Sequence, residues 1–174
     1  MQTPLVLTVI GKDRHGLVEL VAQIIVNHKG NWLESRMCRL GGEFAGILRI
    51  EVPSENEKRL ADALNKLAES GITVVIRKDQ SDKVDVPSII ANLEVVGQDR
   101  PGIIYQISNT LAKYYVNVEE LTTEYKSAPM SGENLFMARA RLRIPASIDI
   151  NHLREELEKI GNDLMVDTIL EPDL

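Results

Sequence analysis

A motif that combines glycine with charged residues occurs twice in the sequence. The copies, 86 residues apart, read Gly11-Lys12-Asp13-Arg14-His15-Gly16-Leu17 and Gly97-Gln98-Asp99-Arg100-Pro101-Gly102-Ile103. Glycine permits a tight turn and lets a ligand approach the backbone closely. Where such a turn opens a helix, the first N–H groups are free and carry positive potential, so they can bind a carboxylate. The motif therefore predicts a carboxylate-binding loop in each copy.

The same motif is also compatible with a purely structural role as a helix start. The side chain of Asp13 or Asp99 can cap the following helix, and Pro101 suits a first helical turn. Capping alone does not require the combination of Gly, Asp and Arg. Two copies can, however, simply descend from one duplicated unit, so both interpretations stay open at this point.

The repeat extends beyond the motif. At the same offset Asn31 matches Asn117, whereas later matches are 92 residues apart: Phe44 and Phe136, Arg49 and Arg141, Pro53 and Pro145. Six extra residues in the second copy fall around Ser127 to Gly132 and predict a longer loop. Two repeats at residues 1–79 and 88–174, joined by a linker at 80–87, account for the chain.

Each repeat shows the same order of hydrophobic patterns. Alternating apolar residues predict a first strand in both copies, and a helical spacing follows at Leu17, Val21, Ile25 and at Ile103, Ile107, Leu111. Further along the first copy, four segments predict turns and helix ends. They are Gly30 as a left-handed helix cap, Gly41-Gly42 as a hairpin turn, Ser54-Glu55-Asn56-Glu57 as a capping box, and Gly71 as a helix stop.

The resulting order, βαββαβ, is that of the ferredoxin-like unit, so the predicted fold class is α+β with two such units. An isolated unit of this size buries a smaller share of its surface than one body of twice the length. Unpaired strand edges are also a liability. We therefore expect the two units to pack side by side and to pair into one sheet.

Composition narrows the class of protein. The net charge of −6, from 26 acids and 20 bases, argues against a protein that binds the phosphate backbone of nucleic acid. A single cysteine, Cys38, excludes an intramolecular disulfide framework. No apolar stretch approaches the length of a membrane span, and the first residues lack the pattern of a signal peptide. We therefore expect a cytoplasmic protein without membrane contact.

The motif of the second copy, followed by Asn117-Val118, resembles the signature of ACT domains, which are small ferredoxin-like regulatory modules that bind amino acids. The tandem arrangement and the hairpin segment 36–46 resemble more closely the glycine cleavage system transcriptional repressor family. The resemblance covers essentially the whole chain.

In ACT domains an effector lies between paired domains, held by the first strand-to-helix loop and by an asparagine or a neighbouring residue of the second strand. The resemblance therefore implies ligand-binding residues in both copies: Asp13, Arg14, His15, Gly16, Leu17 and Asn31, and Asp99, Arg100, Pro101, Gly102, Ile103 and Asn117. Helix N–H groups would bind the α-carboxylate, and Asp or Asn oxygens the α-ammonium. The small space favours glycine, the first candidate, or serine. Because His15 replaces the proline of the motif, we expect the second copy to be the better site.

The resemblance also implies a regulator rather than an enzyme, namely a repressor of glycine cleavage genes that binds a transcriptional activator protein instead of DNA. The sequence agrees, because no helix-turn-helix pattern is left over, and no nucleophile–base pair, metal cluster or cofactor loop is recognisable. A structural adaptor with degenerate ligand sites is the alternative. A copper carrier of this fold would need paired cysteines, and an RNA-binding sheet would need stacking aromatic residues.

The outer face of the predicted sheets carries a second set of charged residues. In the second copy these are Arg139, Arg141 and Arg143, with Glu94 on the adjacent strand. A solvated face with paired charges is one interpretation. In the first copy the same face is more apolar, with Val6, Ile10 and Ile47, which favours a docking surface for a second subunit, as in a homodimer, or for a partner protein.

Overall fold

The structure is a computed structural model that describes residues 1–80, 86–127 and 134–173. The chain divides into two compact units, Met1–Lys83 and Val84–Leu174. Most of the longer loop predicted around Ser127 to Gly132 lies outside the described residues.

The first unit consists of four strands and two helices in the predicted order. They are β1 (Gln2–Lys12), α1 (Leu17–Asn27), β2 (Asn31–Leu40), β3 (Glu43–Pro53), α2 (Glu57–Asn65) and β4 (Ile72–Lys78), with short 3-10 turns at Ser54–Asn56 and Lys66–Ser70. The second unit repeats this order as β5 (Ser88–Gln98), α3 (Ile103–Lys113), β6 (Asn117–Ser127), β7 (Asn134–Pro145), α4 (Ile150–Leu164) and β8 (Val166–Pro172). The predicted α+β class is confirmed in both units.

Each unit has a four-stranded antiparallel sheet with the first strand in the interior. The strand orders are β2-β3-β1-β4 and β6-β7-β5-β8. Equivalent register shifts interrupt the edge pairings, between Trp32 and Glu34 on β2 and between Val118 and Glu120 on β6. The described residues form two four-stranded sheets, one in each unit. The two interior strands of each sheet are paired on both sides, and the outer strands end each ladder.

The helices cover one face of each sheet, and the core lies between them. In the first unit the strands contribute Leu7, Leu48 and Ile50 and helix α2 contributes Leu60 and Leu64. The second core is built in the same way from residues such as Leu93, Leu142, Ile144, Leu153 and Leu157. Alternate strand residues face the core because successive side chains of a strand point to opposite sides.

Two of the predicted turns are confirmed by the backbone. Gly41 and Gly42 have φ values of 60° and 85°, and Leu40 pairs with Glu43 across them. Positive φ at both central residues is the geometry of a two-residue hairpin turn that follows the twist of the strands. Gly71, with φ of 76°, ends the second helical segment of the first unit, as predicted.

Two other predicted helix ends are wrong. The left-handed residue after α1 is Lys29, with φ of 59°, whereas Gly30 avoids a clash, because a Cβ there would lie 2.8 Å from Ile25 Cγ2. The predicted capping box does not form, because Ser54–Asn56 is a 3-10 turn and the Ser54 hydroxyl donates instead to the Met1 carbonyl at 3.0 Å. Helix α2 begins after it, at Glu57, without a side-chain cap.

Candidate functional site

The first candidate loop, residues 13–16, is held to the hairpin turn of its own unit. The Asp13 N–H donates to the Gly42 carbonyl at 3.0 Å, which extends the pairing of β1 with β3 past Lys12. The Asp13 carboxylate also forms an ion pair with Arg39, whose Nε lies 2.5 Å from Asp13 Oδ2. The prediction that Asp13 caps helix α1 is therefore wrong, because the hairpin engages both the backbone and the side chain of Asp13.

Gly16 forms the start of α1. Its φ of 77° is left-handed, and its carbonyl accepts the first helical hydrogen bond, from Leu20 N–H at 2.8 Å. The N–H groups of Leu17, Val18 and Glu19 precede that bond and have no carbonyl within the helix. With no side chain capping them, these groups form an exposed positive end that can accept an anionic group.

A surface concavity of about 390 Å³ adjoins this loop. Its lining combines loop residues with the outward face of α1: Arg14, His15, Gly16, Glu19, Leu20 and Gln23. The lining thus includes a guanidinium, an imidazole and a carboxylate. This combination suits a small zwitterion, which carries one charge of each sign.

The second candidate loop, residues 99–102, repeats the backbone of the first. The Asp99 N–H donates to the Asn134 carbonyl at 3.0 Å, and Gly102, with φ of 95°, precedes α3. No side chain caps this helix either, so the predicted capping role of Asp99 is wrong. Pro101 lies before the helix rather than in its first turn, because left-handed Gly102 separates them.

The two loops differ in how their aspartates are paired. Tyr125 occupies the place that Arg39 has in the first repeat, 86 residues earlier. Within the described parts of the chain, Asp99 forms no ion pair, whereas Asp13 does. The Asp99 carboxylate is therefore the more available of the two for a ligand ammonium.

The arginine of the second loop is held by uncharged partners. Arg100 Nη2 donates to Gln98 Oε1 at 3.3 Å and contacts Met165 Sδ at 2.9 Å. Met165 follows α4 with φ of 56°, a left-handed conformation that favours glycine, and the residue is 64% exposed. The equivalent residue of the first unit is Gly71. Sequence analysis missed Met165, although a methionine in the place of the helix-ending glycine was a visible signal.

We expect replacement of Met165 by glycine to raise the free energy of unfolding by up to about 1 kcal/mol, because glycine relieves the left-handed strain. Asn162→Gly in the helical part of α4 is the matched control and should lower stability by roughly 0.5–1 kcal/mol. Urea unfolding, monitored by circular dichroism, measures the change in stability of both variants. Equal losses in the two variants would contradict the strain at Met165.

The two asparagines lie far from the loops of their own units. Asn31 pairs with Glu51 on β3, whereas Lys12, next to the first loop, pairs with Glu43. Eight residues of strand separate these positions, which corresponds to roughly 27 Å. Asn117 has the same place, opposite Arg143. Loop and asparagine of one unit therefore cannot contact the same small amino acid.

The open sheet faces carry a charge cluster that is present in both repeats. Arg49 Nε lies 2.6 Å from Asp79 Oδ2, and its Nη1 lies 3.2 Å from Glu34 Oε1. The hydrogen bonds that Arg49 donates to Asp79, which has the larger effect, and to Glu34 raise the pKa of Arg49 above its ordinary value. In the second unit Arg141 pairs with Glu119 at 3.4 Å and Asp173 at 3.2 Å. These ion pairs connect neighbouring strands and favour a structural role for the open sheet faces.

The outward direction of Arg139, Arg141 and Arg143 is as predicted, and Arg139 pairs with Glu94 at 3.5 Å. Across the described ranges no group of three or more histidine, cysteine, aspartate or glutamate residues could hold a metal ion. None of the helices in the described part of the chain is long and apolar enough to cross a membrane.

Comparison with known proteins agrees with this fold. The family model of the ACT domain matches residues 3–77. A UPF0237 protein of Methanopyrus kandleri is 35% identical over 81 residues, which cover 47% of this chain and 84% of that protein. The chain belongs to the ACT domain family.

Relatives with both units are also found. The glycine cleavage system transcriptional repressor of Escherichia coli is 24% identical over 166 residues, covering 92% of this chain and 85% of the repressor. A protein of unknown function from Galdieria sulphuraria has the same fold over 100% of both chains, with a TM-score of 0.85 and 28% identity. A candidate glycine cleavage system transcriptional repressor of known structure has a TM-score of 0.69 and 19% identity over 99% of this chain and 98% of its own. The chain is thus a tandem ACT-type protein related at low identity to that repressor.

Proposed function

We propose that the chain is an amino-acid sensor that regulates transcription by binding a protein partner. The observation that carries the proposal is the duplicated loop, in which an uncapped helix start lies beside an aspartate and an arginine. ACT domains typically bind amino acids, and the repressor of Escherichia coli supplies the regulatory context.

Each group of the loop has a role in this proposal. The free N–H groups of the helix start bind the α-carboxylate of the ligand. The Asp99 carboxylate accepts the α-ammonium, and Arg100 adds a second positive group beside the carboxylate. Glycine is the first candidate because none of these contacts involves a side chain of the ligand.

An asparagine of a second ACT-type unit would complete the site. Asn31 and Asn117 lie at the end of the sheet away from their own loops, so neither reaches a ligand bound there. Donation from a second chain would couple ligand binding to self-association. Binding would then change the affinity for a partner by no more than the difference in ligand affinity between the two states.

The partner that we propose is a transcriptional activator protein rather than DNA. The net charge of −6 opposes binding to a phosphate backbone. The proposal places the chain in the cytoplasm, as a repressor of glycine cleavage genes.

A structural adaptor with degenerate ligand sites is the second candidate, and a specific observation favours it. Asp13 is already paired with Arg39, and Arg100 is already held by Met165 and Gln98. In an adaptor these internal contacts are permanent. In a sensor the ligand replaces them.

Isothermal titration calorimetry with glycine, serine and other amino acids separates the two candidates. A sensor should bind at least one of them saturably, and Asp99→Ala should weaken this binding by tenfold or more, because a charged hydrogen bond is lost. Asp163→Ala removes an exposed carboxylate from α4 and is the matched control, with unchanged binding.

Failure to detect binding of any amino acid at millimolar concentration would favour the adaptor. Equal affinity of the wild-type protein and Asp99→Ala would remove the second loop from the site. Circular dichroism of each variant confirms that the fold is retained.

A further inference from the structure

Strand β4 lies at one end of the first sheet, and its outer edge is regular. The Asp79 N–H donates to the Pro4 carbonyl at 3.0 Å, which fixes the direction of the alternating backbone groups of β4. The N–H and C=O groups of Val74, Ile76 and Lys78 therefore point away from β1. Pairing with β1 continues without a register shift over all seven residues of the strand. The outer edge of β4 thus presents an unbroken row of donors and acceptors.

The equivalent strand of the second unit, β8, is blocked at its outer edge. The Leu170 carbonyl accepts hydrogen bonds from Arg154 Nε at 3.2 Å and from Arg154 Nη2 at 3.1 Å. This carbonyl points away from β5, because the Asp173 N–H donates to the Ile90 carbonyl and the direction alternates along the strand. Pro172, at the same edge, has no N–H to donate. One acceptor is therefore occupied and one donor is missing, which protects an edge strand against further pairing.

The first unit lacks both of these protective features. When the helices are aligned by their buried leucines, Ala61 of α2 stands where α4 has Arg154, and Lys78 stands where β8 has Pro172. A methyl group cannot donate to a carbonyl, and the lysine restores a backbone N–H. The other two outer strands, β2 and β6, are interrupted by their register shifts. Among the outer strands of the described sheets, β4 is thus the one with a regular, uncapped edge.

The side chains of β4 are arranged symmetrically about Val75. Val74 and Ile76 flank it on the core side of the sheet, and Thr73 and Arg77 follow on the open side. A second β4, antiparallel and centred on Val75, places Val74 of each copy opposite Ile76 of the other, so that the outward backbone groups pair. The two Arg77 side chains then lie at opposite ends of the junction, roughly 14 Å apart along the strands, which avoids repulsion between like charges.

We propose that β4 is a dimerisation edge, at which a second copy of this chain adds its own β4 in antiparallel orientation with the two Val75 residues directly opposite. The first sheets of the two copies then form one continuous sheet. Val75 shares the open face with Ile10 and Ile47, and these residues are 46%, 46% and 55% exposed. Pairing covers Val75 and continues this apolar group across the junction. The proposed ligand-binding residues lie outside β4, so the inference stands apart from the amino-acid site.

Sedimentation equilibrium tests the dimer. A strand-edge interface is small, so we expect the wild-type protein to form a weak, reversible dimer that is populated at high micromolar concentration. Val75→Lys should weaken the association by tenfold or more, because it places two ammonium groups directly opposite each other. Ile169→Lys is the matched control, because Ile169 has the equivalent position on β8, is 53% exposed and should leave the dimer unchanged. Circular dichroism of each variant confirms that the fold is retained.

Cysteine cross-linking tests the register. In a protein with Cys38→Ser, Val75→Cys should form a disulfide-linked dimer in oxidised glutathione, because opposite residues of a non-hydrogen-bonded pair have Cα atoms about 4.5 Å apart. Thr73→Cys is the control. The two residues at position 73 would lie roughly 14 Å apart in this register, which is too far for a disulfide.

Three results would overturn the proposal. The first is a wild-type protein that stays monomeric up to millimolar concentration. The second is a dimer that Val75→Lys leaves as strong as that of the wild-type protein, or that Ile169→Lys weakens to the same extent. The third is cross-linking of Thr73→Cys that equals or exceeds that of Val75→Cys.

Discussion

Replacing Leu48 by alanine is expected to lower the free energy of unfolding of the first unit by about 2–5 kcal/mol. Leu48 lies on β3 and points into the core formed with α1 and α2. Its removal loses the transfer free energy of three carbon atoms and leaves a cavity that the surrounding strands can only partly close. The loss of free energy of unfolding should lie at the upper end of this range if the neighbouring side chains do not move into the cavity.

Urea unfolding, monitored by the fluorescence of Trp32, measures this loss of free energy of unfolding in the first unit. Trp32 is the single tryptophan and packs against the same core as Leu48. Ile47→Ala is the matched control, because Ile47 is the preceding residue of β3, faces the open side of the sheet and is 55% exposed. We expect its effect to be within about 0.5 kcal/mol. Similar losses in both variants would contradict the inward direction of Leu48.

Replacing Gly97 by alanine is the second change with a large expected effect, a loss of about 1–3 kcal/mol in the second unit. A Cβ at this position would lie 2.6 Å from the Met165 carbonyl oxygen and 2.7 Å from Val166 Cα. Both are backbone atoms, so the clash can be relieved only by moving β8 away from β5.

Circular dichroism measures the unfolding of the Gly97→Ala protein. Gln98→Ala, at the next residue of the same strand, is exposed and provides the control. At the equivalent Gly11 a Cβ would meet Gly71 O and Ile72 Cγ1 at 3.1 Å, so Gly11→Ala should cost less than Gly97→Ala. The opposite order of the two glycine variants would refute this account of the contact.

The sequence predicts the elements well because each is specified locally. Alternation and helical spacing identify the strands and helices of both repeats, and the pair Gly41-Gly42 identifies the hairpin. The outward arginines of β7 follow from the same alternation, since Ala140, Leu142 and Ile144 are buried between them.

The helix starts are less predictable because they depend on distant partners. Asp13 has the right side chain for a cap, but Arg39 and Gly42 of the hairpin engage it. Ser54 is similarly engaged by the N-terminal strand. Nothing local to either residue indicates which partner it takes.

The candidate site is only partly predictable for the same reason. The loops lie where the motif indicates, but the distance between loop and asparagine follows from the sheet register. The contact between Arg100 and Met165 joins residues 65 positions apart.

The register shifts on β2 and β6 have a consequence for behaviour at high concentration. Both strands are long, exposed at the ends of their sheets, and would offer continuous rows of backbone donors and acceptors to a neighbouring molecule. A bulge interrupts such a row and increases the local twist, which hinders the addition of a further strand. In the second unit the displaced residue is Glu119, whose carboxylate is held by Arg141 and Arg143 at the edge. Together with the acidic net charge, this arrangement is expected to hinder aggregation through the strand edges.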